Sequence, residues 1–552
     1  MLSIEILYAR WRASTYPQVA ILSIGLFVSY FIIVFTYRLT FHPLAKYPGP
    51  LFARISDWPL VIYCYRGDRH LWEYKNHQKY GPIVRYGANS LSISTASSVP
   101  LIHGPKANVK KGSWYKTLDI SAGAPSVQME IDKHRHALRR RFLAPAFSER
   151  ALREAEKLIT VSAVKLAAKV GAGSEKGWSE AKNLCDWSTY FGFDFISDLG
   201  YGESFGMLDS PESAWIPGVL KSASIFIYYV GYLPFIEFVR PLMGSAIQDY
   251  IGGQEAADSL KYTEMANSRL AARIKLEEEL RAENKESERK DTFHYLLNSI
   301  DPVTGKRLTV EQLQADSALI IAAGSDGVAI TLSACFFYLL HDPSTLSTLV
   351  NEIRTSFIDI EDIKTPKLNT LPYLHACLEE TLRLNPPKPS TLPREVLKGG
   401  LQIDEHFYPP GVNVGTPVYV LHHDPGIFPE PWTFNPSRFI ASPTVSAESV
   451  ARAKAASLPF LVGPLNCIGK NMSYIALKLA LVHVLFSHDV RLAEGVSGGG
   501  GRAGKLNACW GVGGTEEEGL RGREGEYQMW DWIIGFRDGP MVEVKKRAVE
   551  PM

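Results

Sequence analysis

The chain lacks three features that would assign it to a common class. It has no CxxC pair, because its six cysteines are scattered over positions 64, 185, 335, 377, 467 and 509. This argues against a zinc site or a disulfide framework and suits a reducing compartment. Its formal net charge is only +1, so the overall balance does not indicate a nucleic-acid partner, and no internal repeat is apparent. The 552 residues, 46% of them hydrophobic, can bury a large core, and length alone suggests roughly three domains.

The N-terminal region contains a long run without charge, PQVAILSIGLFVSYFIIVFTY, over residues 17–37. As a helix this run would be about 31 Å long, which matches the hydrocarbon core of a bilayer. A cleaved signal peptide would be shorter and would end in small residues, so we predict a retained transmembrane anchor at 17–37 behind a short segment, 1–16. The distribution of positive charges on the two sides of this run only slightly favours a cytosolic location of the C-terminal portion.

Two further segments are set apart by composition. Residues 38–54 contain HPLAKYPGP, whose prolines favour stiff, extended backbone. Such a hinge would hold a catalytic domain at a set angle to the membrane, although a passive linker would have the same composition. Residues 495–525 are rich in glycine and charge, which predicts a surface loop between two strands.

The rest of the sequence predicts a mainly helical chain with a small β region. Helical periodicity dominates up to about residue 385 and returns over 470–487. Short runs bounded by glycine and proline indicate the strands. We predict strands at 80–87 with a hairpin partner at 90–95, between 392 and 419, and as a final pair at 529–536 and 541–545.

The most informative stretch is FLVGPLNCIG, from Phe460 to Gly469. It places Cys467 in a turn between Gly463 and Gly469, where missing side chains would let the backbone pass close to a flat ligand. Backbone N–H groups of the turn and the start of the next helix favour a thiolate. A thiolate held in this way is a suitable axial ligand for haem iron, whereas the alternative is a buried structural cysteine.

A second pattern could stabilise that turn. Glu380 and Arg383 form an ExxR on a predicted helix and share one face of it. Arg438, in PWTFNPSRF, could complete a buried Glu–Arg–Arg network, which is costly unless it is fully paired. An ordinary surface ion pair is the alternative.

A third pattern, Ala323-Gly324-Ser325-Asp326, is predicted to interrupt a long apolar helix. Glycine costs about 1 kcal/mol there relative to alanine, which indicates a packing or ligand reason. A small residue would let the helix lie against a flat macrocycle, and a buried Asp326 could relay protons to dioxygen. A kinked core helix with a capping aspartate is the alternative.

Basic residues form the fourth pattern. His136 and Arg140 are four residues apart on a predicted helix and could bind two carboxylates, although a solvated basic face is the default interpretation. Arg394, in TLPREV, lies on a predicted strand from which it could also reach an anionic group.

Taken together, AGSD, ETLR, FNPSRF and GPLNCIG resemble the cytochrome P-450 family, and specifically its microsomal fungal branch, over essentially the whole chain. The resemblance implies one mainly α cytochrome P-450 fold with a small β region, a haem-binding catalytic domain over residues 55–552. It implies these roles: metal ligand, Cys467; structural triad, Glu380, Arg383 and Arg438; oxygen-activating kink, Ala323, Gly324 and Asp326; propionate contacts, His136, Arg140 and Arg394; haem-binding loop, Phe460, Gly463 and Gly469.

The resemblance also implies an activity. The enzyme would be a monooxygenase of the endoplasmic reticulum membrane, with its catalytic domain facing the cytosol and electrons supplied from NADPH by a membrane-bound reductase. The expected substrate is an apolar small molecule, a terpenoid or polyketide intermediate of fungal secondary metabolism. We expect a pocket between a lid at 225–228 and the residues Trp114, Tyr115 and Leu392.

Two positions depart from the family pattern. Leu465 stands two residues before the cysteine, where most relatives have an arginine, so one propionate contact is missing and haem retention is expected to weaken. Gly327 and Val328 follow Asp326 where a threonine is usual, so no hydroxyl can organise the proton-delivering water there. Desaturation, ring formation or rearrangement without oxygen insertion therefore stays open, as does a non-catalytic haem protein.

Overall fold

A computed structural model describes residues 2–118, 124–242, 245–283, 285, 287, 289–301, 303–494 and 526–548. The predicted surface loop at 495–525 lies outside these residues. Helices make up most of the described chain. They are α1 Leu2–Thr36, α2 Leu51–Ile55, α3 Trp58–Arg66, α4 Arg69–Tyr80, α5 Ser98–His103, α6 Lys133–Leu143, α7 Glu149–Gly171, α8 Leu184–Tyr201, α9 Ile216–Val230, α10 Ile236–Val239, α11 Ala246–Ala282, α12 Thr292–Asn298, α13 Val310–His341, α14 Pro343–Ser356, α15 Thr365–Leu368, α16 Pro372–Leu384, α17 Val418–His422, α18 Ala447–Ala456 and α19 Lys470–Ser487.

The strands are short. They are β1 Ile83–Gly87, β2 Ser90–Ile93, β3 Val109–Lys111, β4 Lys182–Asn183, β5 Arg394–Val396, β6 Leu401–Ile403, β7 His406–Tyr408, β8 Asn413–Gly415, β9 His488–Leu492, β10 Trp530–Trp532, β11 Ile534–Phe536 and β12 Met541–Lys546. The largest sheet has the order β1-β2-β8-β5-β3, and only its β2–β8 pair is parallel. The predicted mainly helical fold with small sheets is confirmed.

Helix α13 runs through the centre of the molecule. It begins at a capping box, in which Thr309 and Gln312 satisfy each other's backbone N–H groups. It is apolar on every side, and most of it is buried in the main hydrophobic core with α7, α8 and α19. Its length and hydropathy would also suit a membrane span, but burial inside the protein accounts for them.

The predicted interruption of this helix is wrong, because α13 is continuous through Gly324 and Asp326. A Cβ atom on Gly324 would lie 2.7 Å from the side chain of Ile196 on α8. A Cβ on Gly192 of α8 would lie 2.6 Å from the Ser325 carbonyl oxygen. The two glycines therefore let α8 and α13 pack closely, and a packing reason accounts for Gly324.

The predicted C-terminal strand pair is also wrong. Residues 530–536 fold back on themselves as the β10–β11 hairpin, which turns at Ile533 with a φ of +70°. Strand β12 pairs instead with β9 and β4.

The predicted anchor forms the exposed end of a long helix. Residues 18–41 are helical and highly apolar, with a mean hydropathy of 2.5, and none of the most apolar part is buried. Together these properties identify a candidate membrane anchor.

The hinge that follows is docked on the catalytic part. The Arg85 backbone N–H of β1 donates to the Pro48 carbonyl over 2.7 Å. The Arg85 guanidinium donates to the Arg38 carbonyl, and Arg38 donates to the Ile55 carbonyl over 2.5 Å. A side chain on Gly49 would collide with the Arg85 carbonyl oxygen at 2.1 Å. Of the two interpretations of the hinge, these contacts favour a fixed connection.

Candidate haem and active site

The cysteine loop is held by its own backbone. A 3-10 turn over Gly463–Leu465 precedes Cys467, whose N–H donates to the Phe460 carbonyl over 2.9 Å. The Cys467 side chain opens into a cavity of about 310 Å³. Burial raises the pKa of the Cys467 thiol, whereas a hydrogen bond from the Gly469 N–H and the charges of Lys388 and Arg140 act in the opposite direction.

The two glycines of the loop have different surroundings. Gly463 has a φ of +73°, and a Cβ there would lie 2.0 Å from the His103 carbonyl oxygen. It does not line the cavity, so neighbouring protein backbone, and not a flat ligand, requires this glycine. Gly469 does line the cavity, and an added Cβ would make only ordinary contacts, 3.9 Å from the Cys467 sulfur.

The Glu380 network lies behind the cavity, outside its lining. The Glu380 carboxylate pairs with Arg383 at 2.8 Å and with Arg438 at 3.2 Å. Glu380 and Arg383 are completely buried. Arg383 also donates to the carbonyls of His422 and Pro431, so its guanidinium is well satisfied.

His422 connects this network to the cysteine loop. One ring nitrogen contacts the Arg383 carbonyl at 2.9 Å, and the other accepts the Leu458 N–H at 2.7 Å. Burial lowers the pKa of His422 to about 3, so the ring is neutral and can donate on one side and accept on the other. Leu458 lies two residues before Phe460, at the entrance of the loop. The sequence pattern did not reveal this histidine, because its role depends on a contact between distant segments.

On the opposite wall, Ala323 and Gly324 of α13 line the cavity, as do Gly327 and Thr331. Asp326 is buried but does not line it. Burial raises the pKa of Asp326 to about 6, and the charge of Arg537 only partly opposes this.

Basic residues surround the cavity. His136, Arg140 and Arg394, which the family resemblance assigned to the haem propionates, all line it, and two lysines that the sequence did not single out, Lys111 and Lys388, join them. Lys111 lies directly opposite Arg394 in the β3–β5 pair, which explains why the two charges are neighbours. Within the described parts of the chain, none of these five residues forms an ion pair with a carboxylate.

The electrostatics of this group fit an anionic ligand. Burial, together with the charge of Arg394, lowers the pKa of Lys111 to about 7. Burial, together with the charges of Lys111, Arg140 and Arg394, lowers the pKa of His136 to about 4, so its ring is neutral near pH 7. The buried Arg394 Nε has no hydrogen-bond partner in the described structure. Basic side chains whose charges oppose one another, and which form no ion pair with a carboxylate among the described residues, favour an acidic ligand. The residues present therefore fit a haem, with the Cys467 sulfur for its iron and basic side chains for its two propionates.

The predicted lid is only partly correct. Tyr228 lines the cavity together with Trp114, Tyr115 and Leu392, but residues 225–227 do not. The aromatic run of α9 therefore contributes one side chain to the pocket.

The chain is similar to known proteins over most of its length. The family model for cytochrome P-450 matches residues 55–498. The cytochrome P-450 monooxygenase fscF of Fusarium equiseti is 34% identical over 94% of this chain and 95% of its own length. The cytochrome P-450 monooxygenase apf7 of Gibberella fujikuroi is 34% identical over 96% and 99%, respectively. The trichothecene C-15 hydroxylase of Fusarium sporotrichioides is 29% identical over 88% and 94%. The chain therefore belongs to the cytochrome P-450 family and is a monooxygenase.

Proposed function

We propose that this enzyme inserts one oxygen atom of dioxygen into a largely apolar small molecule, a terpenoid or polyketide intermediate of fungal secondary metabolism. The observation that carries the proposal is that Cys467 faces a cavity lined by basic residues without ion-pair partners in the described part of the chain, which belongs to this family. When bound, the haem supplies the activation of dioxygen, with electrons from NADPH. The names of relatives such as the trichothecene C-15 hydroxylase support a substrate from secondary metabolism.

The residues of the chain have distinct roles in this proposal. Cys467 ligates the iron, and the Glu380 network keeps the cysteine loop in place through His422. His136, Arg140 and Arg394 bind the propionates, and Lys111 and Lys388 provide further positive charge that offsets the arginine missing at Leu465. Phe460 and Gly469 line the cavity next to the cysteine.

Proton delivery is assigned to α13. Ala323, Gly324 and Gly327 leave room for dioxygen, and Asp326, whose pKa is about 6, can hold or release a proton near neutral pH. Thr331 also lines the cavity, but its hydroxyl already donates to the Gly327 carbonyl over 2.8 Å. Ordered water or a hydroxyl of the substrate therefore takes the place of the threonine that Gly327 replaces.

The cellular setting is part of the proposal. The exposed apolar helix anchors the protein in the endoplasmic reticulum membrane, and the catalytic part faces the cytosol. There, a membrane-bound NADPH–cytochrome P-450 reductase docks on the side of Cys467.

Labelled dioxygen tests the reaction. The full-length protein, reconstituted with a reductase, would be offered terpenoids and polyketides that shift its haem spin state, and products would be weighed after turnover under ¹⁸O₂. One labelled oxygen in the product supports insertion. Complete conversion to an unlabelled product contradicts it and supports the second candidate, desaturation, ring formation or rearrangement, which the missing hydroxyl at Gly327 favours.

Gly327→Thr tests whether the missing hydroxyl affects the coupling of NADPH to product. A Cβ at Gly327 meets no atom within 4 Å, so a threonine has space. If water alone delivers the proton, the variant should couple a larger share of NADPH to product. Unchanged coupling would argue that the hydroxyl is irrelevant to this enzyme.

A further inference from the structure

One wall of the cavity is polar, in contrast to its mainly apolar surroundings. The cavity is lined by Arg69 at the start of α4, Tyr228 and Tyr232 at and after the end of α9, Ser390 between α16 and β5, and Asp531 of β10. These residues come from four separate segments of the chain. They form a connected set of hydrogen bonds, which we call the polar wall.

Arg69 organises the polar wall. Its Nε donates to Glu73 over 2.9 Å, and one terminal nitrogen donates to the Thr391 carbonyl over 2.6 Å. The other terminal nitrogen donates to the hydroxyl oxygens of Tyr232 and Tyr228, over 2.9 Å and 3.3 Å. Arg69 and Glu73 are each only 1% exposed, so the pair is a fixed part of the interior.

Most other polar groups of the polar wall form hydrogen bonds with one another. The Tyr228 hydroxyl accepts from Arg69 and donates to the Asp531 carboxylate over 2.9 Å. The Ser390 hydroxyl also donates to Asp531. The Asp531 carboxylate therefore accepts two hydrogen bonds within the polar wall.

Tyr232 differs from its neighbours. Its hydroxyl oxygen accepts from Arg69, but its own proton has no acceptor among the described residues. The ring is held by stacking on Trp114, with centroids 5.7 Å apart, and the Arg69 guanidinium lies 5.0 Å from its centroid. Tyr232 is thus a preoriented hydrogen-bond donor on the wall of the cavity, polarised by a guanidinium.

Charge defines what this donor can bind. Arg69 and Glu73 neutralise each other, and Asp531 adds one negative charge to the polar wall. A ligand carboxylate would therefore be repelled there, whereas a neutral oxygen would not. We propose that the enzyme selects substrates with a neutral carbonyl or hydroxyl oxygen that accepts a hydrogen bond from Tyr232. This inference rests on the proposed function and makes the substrate an already oxygenated molecule.

Imidazole probes test the inference without a known substrate, because imidazole ligates the haem iron and shifts the Soret band. Three series of 1-alkylimidazoles, with spacers of six to twelve carbons, would end in a methyl group, a methyl ketone or a carboxylate. We expect one spacer length at which the ketone binds the full-length holoprotein more tightly than both other probes. At that length Tyr232→Phe should weaken ketone binding about three- to tenfold and leave methyl binding unchanged.

Tyr63→Phe is the matched control, since Tyr63 belongs to the same aromatic cluster, stacks on Trp72 and does not line the cavity. It should leave all three affinities unchanged. An equal loss for ketone and methyl probes in Tyr232→Phe, or a carboxylate that binds more tightly than the ketone, would overturn the inference. Absence of any haem band in the wild-type protein would overturn the proposed function itself, which keeps the two failures distinct.

Discussion

At the scale of single residues, burial of the Asp326 carboxyl lowers the stability of the folded protein near neutral pH. It is buried beside the cavity-lining part of α13, and its pKa rises from 3.8 to about 6 because burial disfavours the charged form. A carboxyl group with a raised folded-state pKa binds its proton more tightly in the folded than in the unfolded chain. The free energy of unfolding therefore falls as the pH rises from about 4 to about 6.

Asp326→Asn should remove this pH dependence. At pH 7.5 the variant should be more stable than the wild type by about 3 kcal/mol, and the advantage should disappear at pH 4. Urea unfolding at several pH values measures this difference. A difference that is constant with pH would contradict the assigned pKa.

Substitution of Glu380 tests the buried network of Glu380, Arg383 and Arg438. Glu380→Ala leaves Arg383 and Arg438 without their shared carboxylate, which should destabilise the protein by about 3–5 kcal/mol and reduce the haem-bound fraction after purification. Glu448→Ala, which removes an exposed glutamate of α18, is the control and should retain haem. Equal haem content in both variants would show that the network does not support the cysteine loop.

Residue types and spacing predicted one part of the site and could not predict another. The i, i+4 spacing showed that His136 and Arg140 could act together, and the family resemblance assigned them, with Arg394, to the propionates. Lys111 was not predicted as a cavity residue, because only the β3–β5 register places it beside Arg394, more than 280 residues away in sequence. Tyr232 is likewise defined by Arg69, which no local pattern connects to it.

At the scale of elements, the close contact between α8 and α13 fixes the position of Ala323 and Gly324 in the cavity wall. Gly192→Ala would place a methyl group 2.6 Å from the Ser325 carbonyl oxygen, which is backbone and cannot rotate away. We expect a loss of about 1–3 kcal/mol in the free energy of unfolding despite the better helix propensity of alanine. Thermal unfolding measures the change.

Gly218→Ala is the matched control for this contact. Gly218 is exposed on α9, and a Cβ there meets nothing within 4 Å. It should stabilise the protein by up to about 1 kcal/mol. If the two alanine variants behaved alike, helix propensity and not the α8–α13 contact would govern both.

Elements with a clear period were predictable, whereas the pairing of the C-terminal strands was not. Helix α19 was predicted at 470–487 with its observed bounds, and the β1–β2 hairpin was also predicted correctly. The AGSD segment was wrongly predicted to interrupt its helix. A glycine in a helix indicates either a break or a close contact, and only the position of Ile196 shows that Gly324 makes a close contact. The β10–β11 hairpin was missed because it turns at Ile533, a residue type that disfavours a positive φ.

At the scale of the whole molecule, the anchor and the hinge make separate contributions. The anchor contacts little of the described protein, whereas the hinge is bonded to β1 through Arg85. Deleting residues 2–37 should therefore release the protein from membranes and leave its haem spectrum unchanged. Fractionation of cell extracts and absorbance spectra check both effects. A released protein without haem would mean that the anchor supports the fold.

Length alone suggested roughly three domains, and the family resemblance correctly replaced this with one fold. The reason is visible in the core, where helices from residue 149 to residue 487 pack together in one large cluster. A rule based on length cannot anticipate a core that spans so much of the sequence.

The carbon monoxide difference spectrum of the reduced protein tests the central claim most directly. If the Cys467 thiolate ligates a haem iron, the wild-type protein should show the strongly red-shifted Soret band of a thiolate-bound haem, and Cys467→Ser should lose that band. A colourless wild-type protein, or a red-shifted band that survives in Cys467→Ser, would contradict the account.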